Sequence, residues 1–150
     1  MRIRGDKLIG QMVRSALARR LTRRPRSSAL RLLPAFAAAL ARPDAVAPAL
    51  LPVERIPAPL LAVAGTDDAM WPSELMARAL IERRRVHGVG GVDELVLLPG
   101  AGHFVRPPVT PTTVDRTDTL ISGGSPRATA QGQRTAWDAT LRFLRQGLLR

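Results

Sequence analysis

The sequence predicts an α/β fold, on three observations: two short apolar runs at 60–64 and 94–98, an amphipathic stretch between them, and a long amphipathic stretch near the end of the chain. Unbroken apolar runs bounded by Pro or Gly suit strands buried on both faces of a parallel sheet. A helix joining two such runs makes a βαβ unit, because parallel neighbours need a crossover.

Each element follows from local pattern. Residues 6–22 carry Leu8, Ile9, Met12, Val13, Ala16, Leu17 and Leu21 at three-to-four spacing, which gives a basic amphipathic helix ended by Pro25. A second helix is expected over 27–41, capped by Ser27 or Ser28 and closed by Pro43, with Pro34 either near its first turns or breaking it. Prolines 43, 48, 52, 57 and 59 predict an extended connector without regular helix. Leu60-Leu-Ala-Val-Ala64 is the first strand, and Ser73 caps a helix to about Arg85 with Leu75, Met76, Ala79 and Leu80 on its apolar side. A turn with Gly88, Gly90 and Gly91 leads into the second strand, Glu94-Leu-Val-Leu-Leu98. Residues 99–130 form a long Pro- and Gly-rich loop, of the length that is functional or disordered. The last helix runs from about Gln131 to Leu149, with Trp137, Leu141, Leu144 and Leu148 on the stripe that covers the sheet. The chain thus divides into a basic helical segment (1–42), a connector (43–59) and an α/β portion (60–150).

Composition narrows the function classes. At 150 residues and 45 % apolar, the chain can form one domain with a core. It has no cysteine, which excludes disulfides, thiolate zinc sites and a cysteine nucleophile, and its two histidines, His87 and His103, argue against a histidine metal cluster. No cofactor is expected. Of the net charge of +11, residues 1–31 hold +9 and the remainder only +2. There is no secretory signal and no apolar run long enough to span a bilayer, so a cytoplasmic protein is expected. An Arg-rich, acid-poor N-terminus also fits an organellar transit peptide less well than it fits a solvated helix face. With no tyrosine and few aromatics, the stacking platform of a single-strand binder is missing, and neither nucleic acid nor membrane is indicated as partner.

Asp68 lies three residues past Gly65, at the end of the first strand, and His103 five past Leu98, at the end of the second. Parallel strands deliver both carboxyl ends to one edge. An acid that fixes an imidazole tautomer and a histidine that shuttles a proton both belong there. The order acid then histidine is that of α/β-hydrolases. Asp67 reads as a turn or cap residue, His87 as an exposed turn residue, and Trp71 and Trp137 as packing residues.

These residues belong to a longer motif set: Val53-Glu-Arg-Ile-Pro, Gly65-Thr-Asp-Asp-Ala-Met-Trp-Pro-Ser73, Leu98-Pro-Gly-Ala-Gly-His-Phe-Val-Arg-Pro-Pro108, and Gly123-Gly124 with Trp137 and Phe143-Leu144. Over about residues 50–148 the set resembles the C-terminal region of the bile acid-CoA:amino acid N-acyltransferase and acyl-CoA thioesterase family. The resemblance implies the C-terminal part of an α/β-hydrolase fold, preceded by basic helices. It implies acyl-CoA as substrate, an acyl-enzyme on serine or cysteine, and water or an amine as acceptor. By the same resemblance Asp68 matches the triad acid, His103 the base, and Asp67 a neighbouring acidic position without a triad role. Val109 departs from the aromatic that often follows the two prolines.

A nucleophile elbow needs a small-residue turn such as Gly-x-Ser-x-Gly. None of the serines at 15, 27, 28, 73, 122 and 125 is so framed, Ser125 coming nearest in Gly123-Gly-Ser-Pro-Arg127. The chain is therefore expected to need the missing N-terminal half of the hydrolase domain. The rival reading is a non-catalytic remnant whose basic N-terminal helix holds an anionic partner.

Overall fold

The computed structural model describes residues 29–108 and 120–148. The basic helix expected over 6–22, the Ser27/Ser28 cap and Val109 lie outside the described residues. Helix α1 (Leu33–Leu40) and a four-residue helix α2 (Pro43–Val46) come first, followed by 3₁₀ turns at Ala47–Ala49 and Val53–Arg55. Strand β1 (Leu61–Gly65), helix α3 (Ser73–Val86), strand β2 (Glu94–Leu98) and helix α4 (Pro126–Leu148) complete the order. No single helix among the described residues is long and apolar enough to cross a membrane.

The two strands pair in parallel, from Leu61 opposite Glu94 to Gly65 opposite Leu98, with α3 as the connection. The pairing continues past both ends, through Glu94 N to Leu60 O at 2.9 Å and Thr66 N to Leu98 O at 3.1 Å. The small core sits between β2 and α4, where Leu98 and Ala101 are wholly buried beside Ala136, with Val63, Val96 and Val105 packed around them.

Several expectations are corrected. The Pro-rich stretch does contain helix, because Pro43 occupies the first helical position, where a missing amide costs nothing. Helix α1 starts at Leu33 for the same reason, Pro34 entering in its first turn. Ser73 does not cap α3; it is the first helical residue and its hydroxyl goes elsewhere. The final helix begins at Pro126, earlier than expected, because Ser125 caps it: the Ser125 Oγ accepts the Ala128 amide at 3.2 Å.

Both long helices are also rolled by roughly a third of a turn from the face their large apolar residues mark. In α3, Leu75 is 60 % and Met76 45 % exposed, and Ala79 is exposed too. The inward side is Ala77, Leu80, Ile81 and the buried Arg84. In α4 the buried residues are Thr129, Gly132, Gln133, Ala136 and Ala139, while Trp137, Leu144 and Leu148 are exposed. Close approach explains the second roll: a Cβ on Gly132 would lie 3.1 Å from the Ala101 Cβ and 3.3 Å from the Leu98 Cβ, so a small-residue face lets α4 lie directly on β2.

Arg84 explains the first. Only 2 % exposed, it donates from Nε and Nη2 to Asp93 at 2.5 and 3.1 Å, from Nη1 to the Val53 and Ile56 carbonyls at 2.7 and 2.8 Å, and from Nη2 to the Ala58 carbonyl at 2.9 Å. Asp93 in turn accepts the Leu60 amide at 2.8 Å. All five guanidinium donors are used, which is the condition for burying this charge. The cluster ties the proline-rich stretch, α3 and the amino ends of both strands together.

Candidate active site

At the opposite, carboxyl edge of the sheet, three loops meet: residues 66–72 after β1, 99–105 after β2, and 122–124 before α4. They pack backbone against backbone. The Ser122 carbonyl accepts the His103 amide at 2.9 Å and the Ala69 amide at 3.3 Å, and the Ala101 carbonyl accepts the Asp67 amide at 3.0 Å. Gly123 has φ +72°, and any Cβ there would strike the Asp67 carbonyl and the Ala69 amide, so only glycine closes the seam. Asp67 is exposed and accepts the Gly124 amide at 3.1 Å, which makes it a clip for this loop, in keeping with its reading as a turn residue.

Asp68 is buried at the centre of that seam, 9 % exposed. Its Oδ1 accepts the amides of Met70 and Trp71 at 2.8 and 3.0 Å, an Asx-type turn that orients the carboxylate. Its Oδ2 accepts the Ser73 hydroxyl and lies 2.9 Å from Nδ1 of His103. Burial pushes the Asp68 carboxyl up, but the hydrogen bonds from Ser73, His103 and the two amides outweigh it and hold the group below its ordinary value of 3.8. The carboxylate is therefore ionised at neutral pH. An ionised acceptor facing Nδ1 selects the tautomer with its proton there, and Nε2 becomes the basic nitrogen. Among the described residues Nε2 has no hydrogen-bond partner.

His103 stands edge-on to Trp71, with ring centroids 4.8 Å apart, and Trp71 is edge-on to Phe36 at 5.9 Å. The imidazole opens onto a groove of about 400 Å³ between β1, α4 and the loop after β2. Trp71 and Trp137, expected as packing residues, both line it and are 42 % and 40 % exposed. The roll of α4 accounts for Trp137, since it turns that side chain off the sheet and onto the groove wall. His87 is exposed at the end of α3, its Nδ1 2.8 Å from the Arg83 carbonyl, far from this chemistry.

The structure thus brings the two candidate residues together at one rim. Sequence reasoning missed the Ser73 hydroxyl on the carboxylate, although Asp-x-x-x-x-Ser spanning a loop and the first residue of a helix is the signal that was there to read. It also missed Arg106, which lines the same groove. Among the described serines, Ser73 is engaged by Asp68, Ser125 caps α4, and Ser122 is 2 % exposed.

The family model described as BAAT / acyl-CoA thioester hydrolase C terminal matches residues 15–150. The chain is 33 % identical over 101 residues to a peroxisomal succinyl-coenzyme A thioesterase of Mus musculus, covering 64 % of this chain and 24 % of that protein. It is 34 % identical over 107 residues to acyl-coenzyme A amino acid N-acyltransferase 2 of Rattus norvegicus, covering 68 % and 25 %. To acyl-coenzyme A thioesterase 1 of Homo sapiens it is 32 % identical over 103 residues, covering 65 % and 24 %. The chain matches about a quarter of the length of these relatives. Relatives of the chain are named both as peroxisomal and, in acyl-coenzyme A thioesterase 2 of Mus musculus, as mitochondrial, so kinship does not carry the cytoplasmic expectation.

Proposed function

The chain belongs to the BAAT / acyl-CoA thioester hydrolase C-terminal family, and we propose that it supplies the acid and the base of an acyl-transfer site acting on acyl-CoA thioesters. The observation that carries this is the 2.9 Å contact of His103 Nδ1 with a buried Asp68 carboxylate, with the His103 ring lining an open groove. Asp68 fixes the tautomer and stabilises the imidazolium that forms; His103 takes the proton of the nucleophile and returns it to the departing thiolate of coenzyme A. The acyl-enzyme is then released by water or by an amine, which the same imidazole deprotonates.

The nucleophile comes from outside these 150 residues. In support, no serine here sits in an elbow and the chain has no cysteine. The sheet supports the same reading: among the described residues β1 pairs with β2 alone, and the large apolar residues Leu75 and Met76 of α3 are exposed. Those are the places where the further strands and helices of an α/β-hydrolase domain pack.

Two measurements test the proposal. In long-range ¹H–¹⁵N spectra of the whole chain at neutral pH, His103 is expected to carry its proton on Nδ1 and to lose that preference in Asp68→Asn. A wild-type ring protonated on Nε2 overturns the acid–base assignment. Thiol release from acetyl-CoA is expected to stay at the buffer rate; release that disappears in His103→Ala would locate the nucleophile within the chain.

A further inference from the structure

Resting on the reading of His103 as the base of an acyl-transfer site, we propose that Arg106 is an anion anchor in its groove and holds a carboxylate of the ligand beside the reacting carbonyl. The walls of the groove are largely apolar, with Val63, Val105, Ala136 and the two tryptophans among them. Its charged lining residues are Asp68 and Arg106, together with the titratable His103. Asp68 is fully used by its four donors. The uncommitted charge is therefore positive.

Arg42, Arg78, Arg83, Arg84, Arg85 and Arg142 are each paired with a carboxylate, whereas Arg106, like several other described arginines, makes no ion pair among the described residues and is exposed; what sets it apart is that it is the arginine lining this groove. Its guanidinium lies over the Phe104 ring, Cζ 5.3 Å from the centroid. Stacking uses the face of the guanidinium and leaves its in-plane N–H fork for an anion. The backbone is held as well, because Arg106 precedes Pro107, whose ring confines the residue before it to extended conformations.

Distance favours an anion on a short arm. The His103 and Phe104 ring centroids are 5.2 Å apart, so Arg106 Cζ lies no more than about 10.5 Å from the imidazole. The phosphate of coenzyme A nearest the thioester is about thirteen bonds from the sulfur, roughly 15 Å along an extended arm by ordinary backbone dimensions. A carboxylate two or three carbons beyond the reacting carbonyl, or that of an amino acid attacking it, falls within reach of the fork. Both sources offer the same chemistry, a short-armed carboxylate in a groove that otherwise suits an apolar chain.

The chain's two tryptophans both line this groove, so their fluorescence reports its occupancy. Titration with S-succinylpantetheine and with S-butyrylpantetheine, neutral and of the same carbon count, compares ligands that differ by a terminal carboxylate against a methyl and carry no phosphate. If the acyl chain supplies the anion, the succinyl thioester binds about tenfold tighter, as one charge-assisted hydrogen-bonded pair warrants. That ratio falls to about one in Arg106→Ala, stays between the two in Arg106→Lys and inverts in Arg106→Glu. If the acceptor supplies it, glycine titrated into the butyryl-saturated protein gives a saturable change that Arg106→Ala abolishes. Quenching by both thioesters with no dependence on Arg106 in either arm overturns the anchor and leaves the groove as the acyl site. Dependence on Arg106 seen only with coenzyme A itself reassigns the residue to phosphate and overturns the carboxylate proposal. No quenching by any thioester overturns the anchor and the acyl-site reading together.

Discussion

The two ends of the strand–helix–strand unit each hold an acid beside a basic side chain, and they are built on opposite terms. At the amino ends of the strands, Arg84 and Asp93 are both 2 % exposed, and every guanidinium donor has an acceptor. At the carboxyl ends, Asp68 is equally well supplied with donors, but its partner His103 lines a groove and its Nε2 has no hydrogen-bond partner among the described residues. A closed network can only hold; a network with one valence open can also react. In a parallel sheet the distinction follows from direction, since the chain leaves the strands through the carboxyl-end loops and those loops can be varied without touching the pairing.

The contrast breaks most readily at Arg84. Replacing it with Met strands the Asp93 carboxylate and three carbonyls in the interior, and loss of one partner of a buried pair costs about 3–5 kcal/mol. Urea titration of Arg84→Met is expected to show that loss, while the His103 tautomer measured on the residual folded fraction stays as in wild type. A variant within about 1 kcal/mol of wild type would show that the amino-end cluster is not what holds the unit together.

Next in size is the split between the two members of the carboxyl-end pair. Asp68→Ala leaves the Met70 and Trp71 amides and the Ser73 hydroxyl without their acceptor, at about 1–3 kcal/mol for buried donors left unmade. His103→Ala removes a partly exposed side chain whose one hydrogen bond among the described residues is to Asp68 and whose ring touches Trp71 and Phe104 edge-on, and its cost is expected to be about 1 kcal/mol, below that of Asp68→Ala. The residue that would do the chemistry is thus the cheaper to lose. Equal losses in thermal unfolding would mean that His103 is a structural member of the seam.

Much of this carboxyl end was legible from sequence, and the reason is local. Strand 94–98 is bounded by turn residues and matches its expected limits, and Asp68 and His103 lie a few residues beyond strand ends that apolar runs mark clearly. The amino end was not legible. Arg84 sits in a run of three arginines that reads as a solvated face, and its acceptors at Val53, Ile56 and Ala58 are 26 to 31 residues away. Counting apolar residues alone therefore placed α3 on Leu75 and Met76. The spacing of Ala77, Leu80, Ile81 and Arg84 carries the true face, but only once a charged residue is admitted to it. The roll of α4 escaped for a related reason: a stripe of Thr, Gly and Ala is weakly hydrophobic, and its value lies in how close it lets the helix come.

Acid sharpens the comparison further. Asp68 titrates below 3.8 when folded, so its contribution is complete above its unfolded value and is lost as pH falls through the folded one. The stability difference between wild type and Asp68→Asn is expected to be greatest above pH 4 and to shrink as the pH drops below it. A difference that grows in acid would mean that the folded site favours the protonated carboxyl, and the ionised acceptor that sets the tautomer would be lost.

The smallest effect is expected at Glu54, and it separates location from burial. Glu54 pairs with Arg83 at 2.5 Å, in the same 3₁₀ turn and next to the same helix residue as the Arg84 cluster, so it shares the amino end. The Arg83 hydrogen bond holds its carboxyl at about 2, so the pair persists from above pH 4.5 and fades only as pH falls through about 2. Yet Arg83 is 30 % exposed, and solvent and salt screen such a pair. Glu54→Gln is expected to leave the unfolding midpoint nearly unchanged at moderate salt, with any loss at low salt disappearing as salt is added. A salt-insensitive loss comparable to that of Arg84→Met would mean that position at the amino end, and not the closure of the hydrogen-bond network around a buried guanidinium, sets the strength of a charge pair in this fold.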